Sequence, residues 1–156
     1  MSAGTGLTHS EFNLSDKPVH FYQIWIYPDE SGLKPTYDQR NYKPVEWENK
    51  LYPVASGQGI SDTVTFHTDA TIYRCSLNAG KSVTYKQTSE RRIFVYLTSG
   101  QIAVNDMALK SKDQARIDVE EPLTLNAQED SELILIDVPS CKGWGYSADT
   151  LKGRKK

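Results

Sequence analysis

The sequence has few cysteines and histidines and contains no long apolar run. The few cysteines argue against a disulfide-stabilised protein, and the absence of a long apolar run argues against a membrane protein. Its two cysteines, Cys75 and Cys141, frame no disulfide scaffold and favour a reducing, cytoplasmic setting. No run approaches the roughly 18 apolar residues of a membrane helix, so we expect no membrane association. A net charge of −2 gives no reason to expect nucleic-acid binding. The three histidines, His9, His20 and His67, are scattered along the chain.

What the sequence does contain is a series of short β-type runs separated by turn residues. Hydrophobic residues make up 38% and charged residues 24% of the chain, which is a globular composition. In Ala115–Glu120 apolar side chains alternate with charged ones, which predicts a strand with one wet face. Ile93–Leu97 and Leu133–Val138 are apolar at both parities and are predicted to be central strands. Further strands are predicted at Val19–Tyr27, Val64–His67, Ala70–Leu77, Ser82–Lys86, Gln101–Val104 and Leu123–Asn126.

The spacing of these runs predicts an all-β fold, an antiparallel sandwich or barrel. Residues 70–138 hold six or seven of the predicted strands, enough for one small barrel. The stretch 29–53, which follows Pro28 and contains prolines at 35, 44 and 53, is predicted to be an extended crossover with little regular structure. Residues 140–156 are rich in glycine and lysine and are predicted to be a mobile, solvated tail.

The first thirteen residues carry the most specific chemical motif. Residues 6–13 follow the pattern Gly-x-x-His-x-x-x-Asn, which resembles the second metal motif of cupin barrels. A Gln-Ile-Trp run at residues 23–25 and a Gly-Leu-x-Pro-x-Tyr-x-Gln run at residues 32–39 follow it. Together with Glu-Arg-Arg at residues 90–92, these runs are similar to the pirin family, especially its bacterial quercetin dioxygenase-like members.

The resemblance implies a cupin-type jelly-roll fold with two barrels in tandem, of which the first carries iron in this family. On that basis we expect residues 1–28 to be terminal strands of an incomplete first barrel. Residues 29–55 would then be the crossover, and residues 56–139 one complete second barrel. The first strand of that barrel could come from residues 40–55. The chain is therefore expected to be truncated relative to the family.

The same resemblance implies a partial metal site. The family's iron is held by three histidines and one glutamate, and His9 and Glu11 match the third histidine and the glutamate. The other two positions have no counterpart here. Residues two apart on a strand project to one face, so His9 and Glu11 could reach one ion. Functional sites of first-row metals normally use three or more protein ligands. We therefore expect no stable Fe(II) or other divalent metal in the isolated chain unless another chain completes the site, and a vestigial pair at a barrel mouth is the alternative.

The second barrel is predicted to lack a metal. Where the resemblance implies a histidine pair, residues 84–89 supply only Lys86 and hydroxyl groups, and the family's downstream carboxylate falls near Arg92. Both side chains are cations that repel a metal ion. His67 is predicted to be a surface histidine at a strand end rather than a ligand or a base, and His20 to lie on the strand at Val19–Tyr27.

Three functions remain open at this stage. The first is an iron-dependent dioxygenase of the quercetin 2,3-dioxygenase type, in which a flavonoid-like molecule is the substrate and Glu11 acts as base beside His9. The second is a non-catalytic cupin module for assembly or protein binding. The third is that the activity belongs to a longer pirin-like protein of which this chain is a part. The incomplete ligand set favours the second and third.

An apolar strand at Val19–Tyr27 without a complete barrel around it would invite pairing with another chain. We therefore expect a homodimer or higher oligomer held by residues 1–30. The alternative is that this segment packs back onto the chain's own barrel.

Overall fold

Ten strands in two sheets dominate the computed structural model, which describes residues 1–86, 88, 90–118 and 122–140. The strands are β1 (Tyr52–Ser56), β2 (Val64–Thr65), β3 (Thr71–Leu77), β4 (Ser82–Tyr85), β5 (Arg91–Ser99), β6 (Gln101–Val104), β7 (Met107–Lys110), β8 (Gln114–Ile117), β9 (Leu123–Ala127) and β10 (Ser131–Pro139). One turn of 3₁₀ helix lies at Pro44–Trp47. Within this part of the chain, no helix has the length and apolar character needed to cross a membrane.

The two sheets form a sandwich. The larger sheet has the strand order β2-β1-β3-β10-β5-β8, and the smaller one has the order β4-β9-β6-β7. Every pairing is antiparallel except that of β1 with β2, which is parallel. The two runs that are apolar at both parities, β5 and β10, lie next to each other in the middle of the larger sheet. The prediction that they are central strands is confirmed.

The core lies between the inward faces of the two sheets. Along β10, Leu133 and Leu135 are buried, whereas Ile134 between them is only half-buried because it points to the outer face. The same alternation in β8 buries Ala115 and Ile117 and exposes Arg116, as the wet-face pattern predicts. The largest fully buried apolar side chains are Leu77, Ile93, Val95, Leu97, Ile102, Leu123, Leu125, Leu133 and Leu135.

The 3₁₀ turn and the strand after it are regular elements inside the predicted crossover. Pro44 opens the turn, where its fixed φ suits a helical start, and Glu46 reaches back to the backbone amide of Lys43. The turn buries Trp47, whose ring lies 4.1 Å from the Arg74 guanidinium on β3. A proline-rich stretch therefore supplies a buried aromatic side chain, and its regular structure consists of this short turn and the start of β1, which lies where we expected that the first strand of the barrel could begin.

Most of the predicted strands are present. Strands close to the predicted bounds occur at Thr71–Leu77, Ser82–Tyr85, Gln101–Val104, Gln114–Ile117 and Leu123–Ala127, while β2 keeps only two residues. The sequence patterns missed β7. Val119 and Glu120, together with the predicted tail from residue 141 onward, lie outside the described residues.

The strand predicted at Val19–Tyr27 is wrong, since the structure assigns no strand there. The segment lies against the outer face of the larger sheet, where the ring of Tyr22 meets that of Tyr96 edge-on at 5.5 Å. The neighbouring strands β3, β10 and β5 are each already paired on both sides. They have no free backbone edge to offer, so a segment rich in β-forming residues is left without a strand partner. The division of the chain into domains at residues 28, 55 and 139 stays a prediction.

Candidate functional site

The loop that carries His9 and Glu11 is held at its base by the crossover. The backbones of Ser2 and Thr36 exchange two hydrogen bonds of 2.9 and 3.0 Å. Gly4 next to this bridge has a φ of +52°, and a Cβ on it would lie 2.1 Å from the Leu33 carbonyl oxygen. Both the left-handed conformation and the close approach therefore require glycine.

His9 and Glu11 are close together and open to solvent. The Nε2 atom of His9 lies 3.8 Å from the Oε1 atom of Glu11, and the side chains are 37% and 50% exposed. We expected a strand to place His9 and Glu11 on one face, but no strand is assigned to these residues. The loop nevertheless brings the two side chains together. The Asn13 side chain that follows is engaged locally, with its amide donating to the Lys17 carbonyl at 2.8 Å.

This pair does not fit a complete iron site. Among the described residues, no group of three or more histidine, cysteine, aspartate or glutamate side chains is close enough to hold a metal ion. One imidazole and one carboxylate are two of the three or more ligands that first-row metals normally take from a protein. The described donor set is thus about half of the one that the family resemblance implies, and the roles of His9 and Glu11 stay predictions.

The other two histidines lie elsewhere. His20 lines a cavity of about 380 Å³ between the N-terminal segment and the outer face of the larger sheet, together with Arg74 and Glu132. His67 is exposed two residues beyond the end of β2, which confirms its predicted surface position at a strand end. Its backbone carbonyl accepts a hydrogen bond of 3.0 Å from the amide of Asp29.

A polar cluster lies at the mouth of the barrel, close to the positions at which the family resemblance implies metal ligands. Arg91 at the start of β5 donates from Nε to Asp137 at 2.7 Å and from an η nitrogen to Asp69 at 2.6 Å. Asp137, near the end of β10, also accepts from the Tyr85 hydroxyl. Gln58 donates to Asp69 at 2.7 Å. We call Tyr85, Arg91, Asp69, Asp137 and Gln58 the mouth cluster. Its side chains bind one another.

The mouth cluster has a fixed pattern of charge. Burial and the hydrogen bond to Asp137 raise the pKa of Tyr85 well above its usual value, so it stays a neutral donor. Burial lowers the pKa of Arg91, but its hydrogen bonds to Asp137 and Asp69 outweigh this and the net pKa is raised. The hydrogen bond from Gln58 lowers the pKa of Asp69; burial opposes this shift, and Arg91 adds to it.

The lowered pKa of Asp69 predicts a loss of stability in acid. The ordinary pKa is 3.8 and the folded pKa is lower, so the carboxylate stabilises the fold above about pH 4. This contribution is lost as the pH falls through the folded pKa. Urea unfolding between pH 5 and pH 2.5 should show a smaller loss of stability in Asp69→Asn than in the wild type. Asp106→Asn, in the β6–β7 turn, is the control, and equal pH slopes for Asp69→Asn and the wild type would contradict the prediction.

Sequence reasoning did not find the mouth cluster, although two signals were present. Asp137 is the one charged residue within the apolar run Leu133–Val138. A lone carboxylate on a buried strand needs a partner, and the basic pair at Arg91 and Arg92 could have been examined as its source. Lys86 is exposed, and Arg92 donates to Asp118 at 2.6 and 2.8 Å. That the second barrel lacks a metal stays a prediction.

A second cleft, of about 440 Å³, lies between the crossover and the loop after β1. Its walls include Arg40, Tyr42, Tyr52 and Asp62. The Tyr42 hydroxyl donates to the Val54 carbonyl at 2.7 Å, and Arg40 lies 3.8 Å from Asp62. The cleft is polar and open, and its side chains form contacts within the chain.

Comparison with known proteins places this architecture in a family. The quercetinase C-terminal cupin domain matches residues 53–138. A quercetin 2,3-dioxygenase of Escherichia coli K12 is 34% identical over 140 residues, which cover 89% of this chain and 59% of that protein. A pirin-like protein of Caulobacter vibrioides is 33% identical over 138 residues, which cover 88% of this chain and 60% of that one. The chain thus spans about three fifths of the length of these curated relatives.

Solved structures give the same result. The crystal structure of YhhW from Escherichia coli superposes with a TM-score of 0.69 at 28% identity, covering 74% of this chain and 48% of that one. A complex of the bacterial pirin YhhW with nickel(II) superposes with a TM-score of 0.66 at 26% identity, covering 72% of this chain and 48% of that one. The all-β, cupin-type fold expected from the sequence is confirmed.

Proposed function

Because this chain belongs to the pirin family, with a quercetinase-type C-terminal cupin domain, we propose that it acts as a non-catalytic cupin module for protein assembly. The observation that carries the proposal is the composition of the candidate metal site. His9 and Glu11 supply two donor side chains on an exposed loop, and no third donor joins them within the described part of the chain. Two ligands on a solvated loop bind a first-row ion weakly.

The interior of the C-terminal barrel supports the same proposal. Large apolar side chains from both sheets, including Leu97, Leu125 and Leu135, are fully buried there. These side chains pack against one another across the sandwich, which favours a structural role for this barrel. At its mouth, Arg91 is engaged by Asp137 and Asp69. The polar side chains of the mouth cluster therefore bind one another at this end of the barrel.

Metal analysis tests the proposal. Protein purified without chelator is incubated with Fe(II) or Ni(II) and passed through a desalting column, and the retained metal is measured by mass spectrometry. We expect far less than one ion per chain, and the same low value for His9→Ala and Glu11→Ala. One ion per chain in the wild type that is lost in both variants would overturn the proposal.

A second candidate function is a metal-dependent dioxygenase of the quercetin 2,3-dioxygenase type. It is favoured by the 3.8 Å approach of His9 to Glu11, which places an imidazole and a carboxylate where one ion could touch both. When bound, Fe(II) or another divalent metal would supply the site at which a flavonoid-like substrate and oxygen meet. Glu11 would take up the substrate proton. Quercetin turnover with added Fe(II) that is abolished by Glu11→Ala would favour this candidate over the first.

We propose the cytoplasm as the setting of this function. Cys75 is a free, buried thiol, and burial raises its pKa to about 12. An unpaired thiol of this kind suits a reducing compartment.

A further inference from the structure

We propose that residues 12–27, here called the N-terminal apolar segment, form an interface with a second copy of this chain. This inference rests on the assembly role proposed above and names its partner. The segment contains Phe12, Leu14, Val19, Phe21, Tyr22, Ile24, Trp25 and Tyr27, all of which are exposed large hydrophobic side chains. A concentration of such side chains marks an interaction surface.

The amount of exposed aromatic surface matches what a dimer needs. Phe12, Phe21, Trp25 and Tyr27 are 79%, 64%, 81% and 90% exposed. At roughly 150–250 Å² for a buried aromatic side chain, these exposures amount to about 600 Å² per chain. A stable interface of standard size buries about 800 Å² per partner. Leu14 and Val19, which are also exposed, bring the total close to that value.

Within the described residues, no strand pairs with the backbone of the segment, and a second copy can provide such a strand. Residues 19–27 have the composition of a β-strand but are assigned no strand, because the adjacent strands β3, β10 and β5 are paired on both sides. Residues 19–27 of a second copy have the same tendency to form a strand and likewise pair with no strand of their own chain. Antiparallel pairing of the two stretches about a two-fold axis would give each a strand neighbour and bring their aromatic side chains together.

The charge of the segment favours a second copy over a membrane surface or a charged protein. Between residues 12 and 27 the formal charges are those of Asp16 and Lys17, which cancel. A surface with no net charge meets its own copy without electrostatic repulsion. An amphipathic membrane contact is typically bordered by several lysine or arginine side chains, whereas this segment has one.

Sedimentation velocity of the full chain tests the interface. We expect the wild type to be a dimer at micromolar concentration, and Phe21→Ser combined with Trp25→Ser to raise the dimer dissociation constant at least tenfold. Val45→Ser combined with Met107→Ser is the matched control, because Val45 and Met107 are also exposed hydrophobic residues but lie outside the segment. A monomeric wild type at about 100 µM, a concentration at which a micromolar interface would be filled, overturns the inference. So does a dimer that the segment variants leave unchanged or the control disrupts.

Circular dichroism and metal content on the same samples separate the possible failures. An unchanged spectrum in the segment variants shows that loss of the dimer does not come from unfolding. If these variants unfold, Tyr27→Ser alone provides the second test, because the Tyr27 side chain is 90% exposed in the single chain. We then expect this variant to raise the dimer dissociation constant at least tenfold. A metal-loaded dimer would overturn the non-catalytic proposal and leave the interface standing, whereas a metal-free monomer would overturn the interface alone.

Discussion

Replacing Asp137 with alanine is expected to lower the free energy of unfolding by about 3 kcal/mol, because it removes the buried partner of Arg91 and leaves that cation paired with the more exposed Asp69. The Asp137 side chain is 6% exposed and that of Arg91 is 10% exposed, and 2.7 Å separates the bonded atoms. The Tyr85 hydroxyl loses its acceptor in the same substitution. Chemical denaturation followed by tryptophan fluorescence measures the effect, and the buried Trp47 contributes to the signal.

The matched control for this prediction is Asp118→Ala. Asp118 also accepts two bonds from an arginine, at 2.6 and 2.8 Å, but its side chain is 49% exposed. Exposed ion pairs contribute about 0–1 kcal/mol. Losses of similar size in the two variants would show that burial does not set the strength of the Arg91–Asp137 contact. A near-neutral Asp137→Ala would show that the mouth cluster does not close the barrel.

Replacing Leu135 with alanine should lower the free energy of unfolding by about 2–5 kcal/mol. Leu135 is fully buried in the middle of β10, opposite Tyr73 on one neighbouring strand and Val95 on the other. The substitution removes a side chain from a filled core and leaves a cavity that both sheets surround. Urea denaturation with a fitted slope provides the measurement.

Ile134→Ala is the control for Leu135→Ala, since it lies next to Leu135 but points to the outer face. Ile134 is half-buried and lines the cavity beneath the N-terminal segment. We expect the loss of stability at Ile134 to be less than half of that at Leu135, because the outer site is partly solvated already. Equal losses would indicate that the outer face is as tightly packed as the core.

Periodicity identified the fold because the sandwich has one inner face and one outer face. Alternation along β8 is a direct consequence of that arrangement, whereas β5 and β10 are apolar on both faces because residues 20–22 lie against their outer face. Propensity alone failed at Val19–Tyr27, where the residues favour a strand but the strands beside them, β3, β10 and β5, are each paired on both sides. Whether a neighbouring strand has unpaired backbone groups depends on the assembled sheet, so a local sequence pattern cannot predict it.

The candidate site was predictable only in part, for a similar reason. The resemblance of residues 6–13 to a cupin metal motif pointed to His9 and Glu11, and the two side chains do lie together. The mouth cluster joins Gln58, Tyr85 and Asp137, which are far apart in sequence and meet only because β4, β5 and β10 converge at one end of the sandwich. A contact of that kind follows from topology, which the spacing of individual residues does not reveal.

The position of β10 constrains the order in which the molecule folds. β10 follows every other strand in the sequence, yet it lies between β3 and β5 and pairs Ser131 with Leu77. The β6–β7 hairpin can form early, because its strands are joined by a tight turn in which Asn105 adopts a φ of +48°. The larger sheet must wait for β10, and until then β3 and β5 each have an apolar edge open to other chains. Nascent chains that have not yet produced β10 therefore expose two strand edges at which they can aggregate.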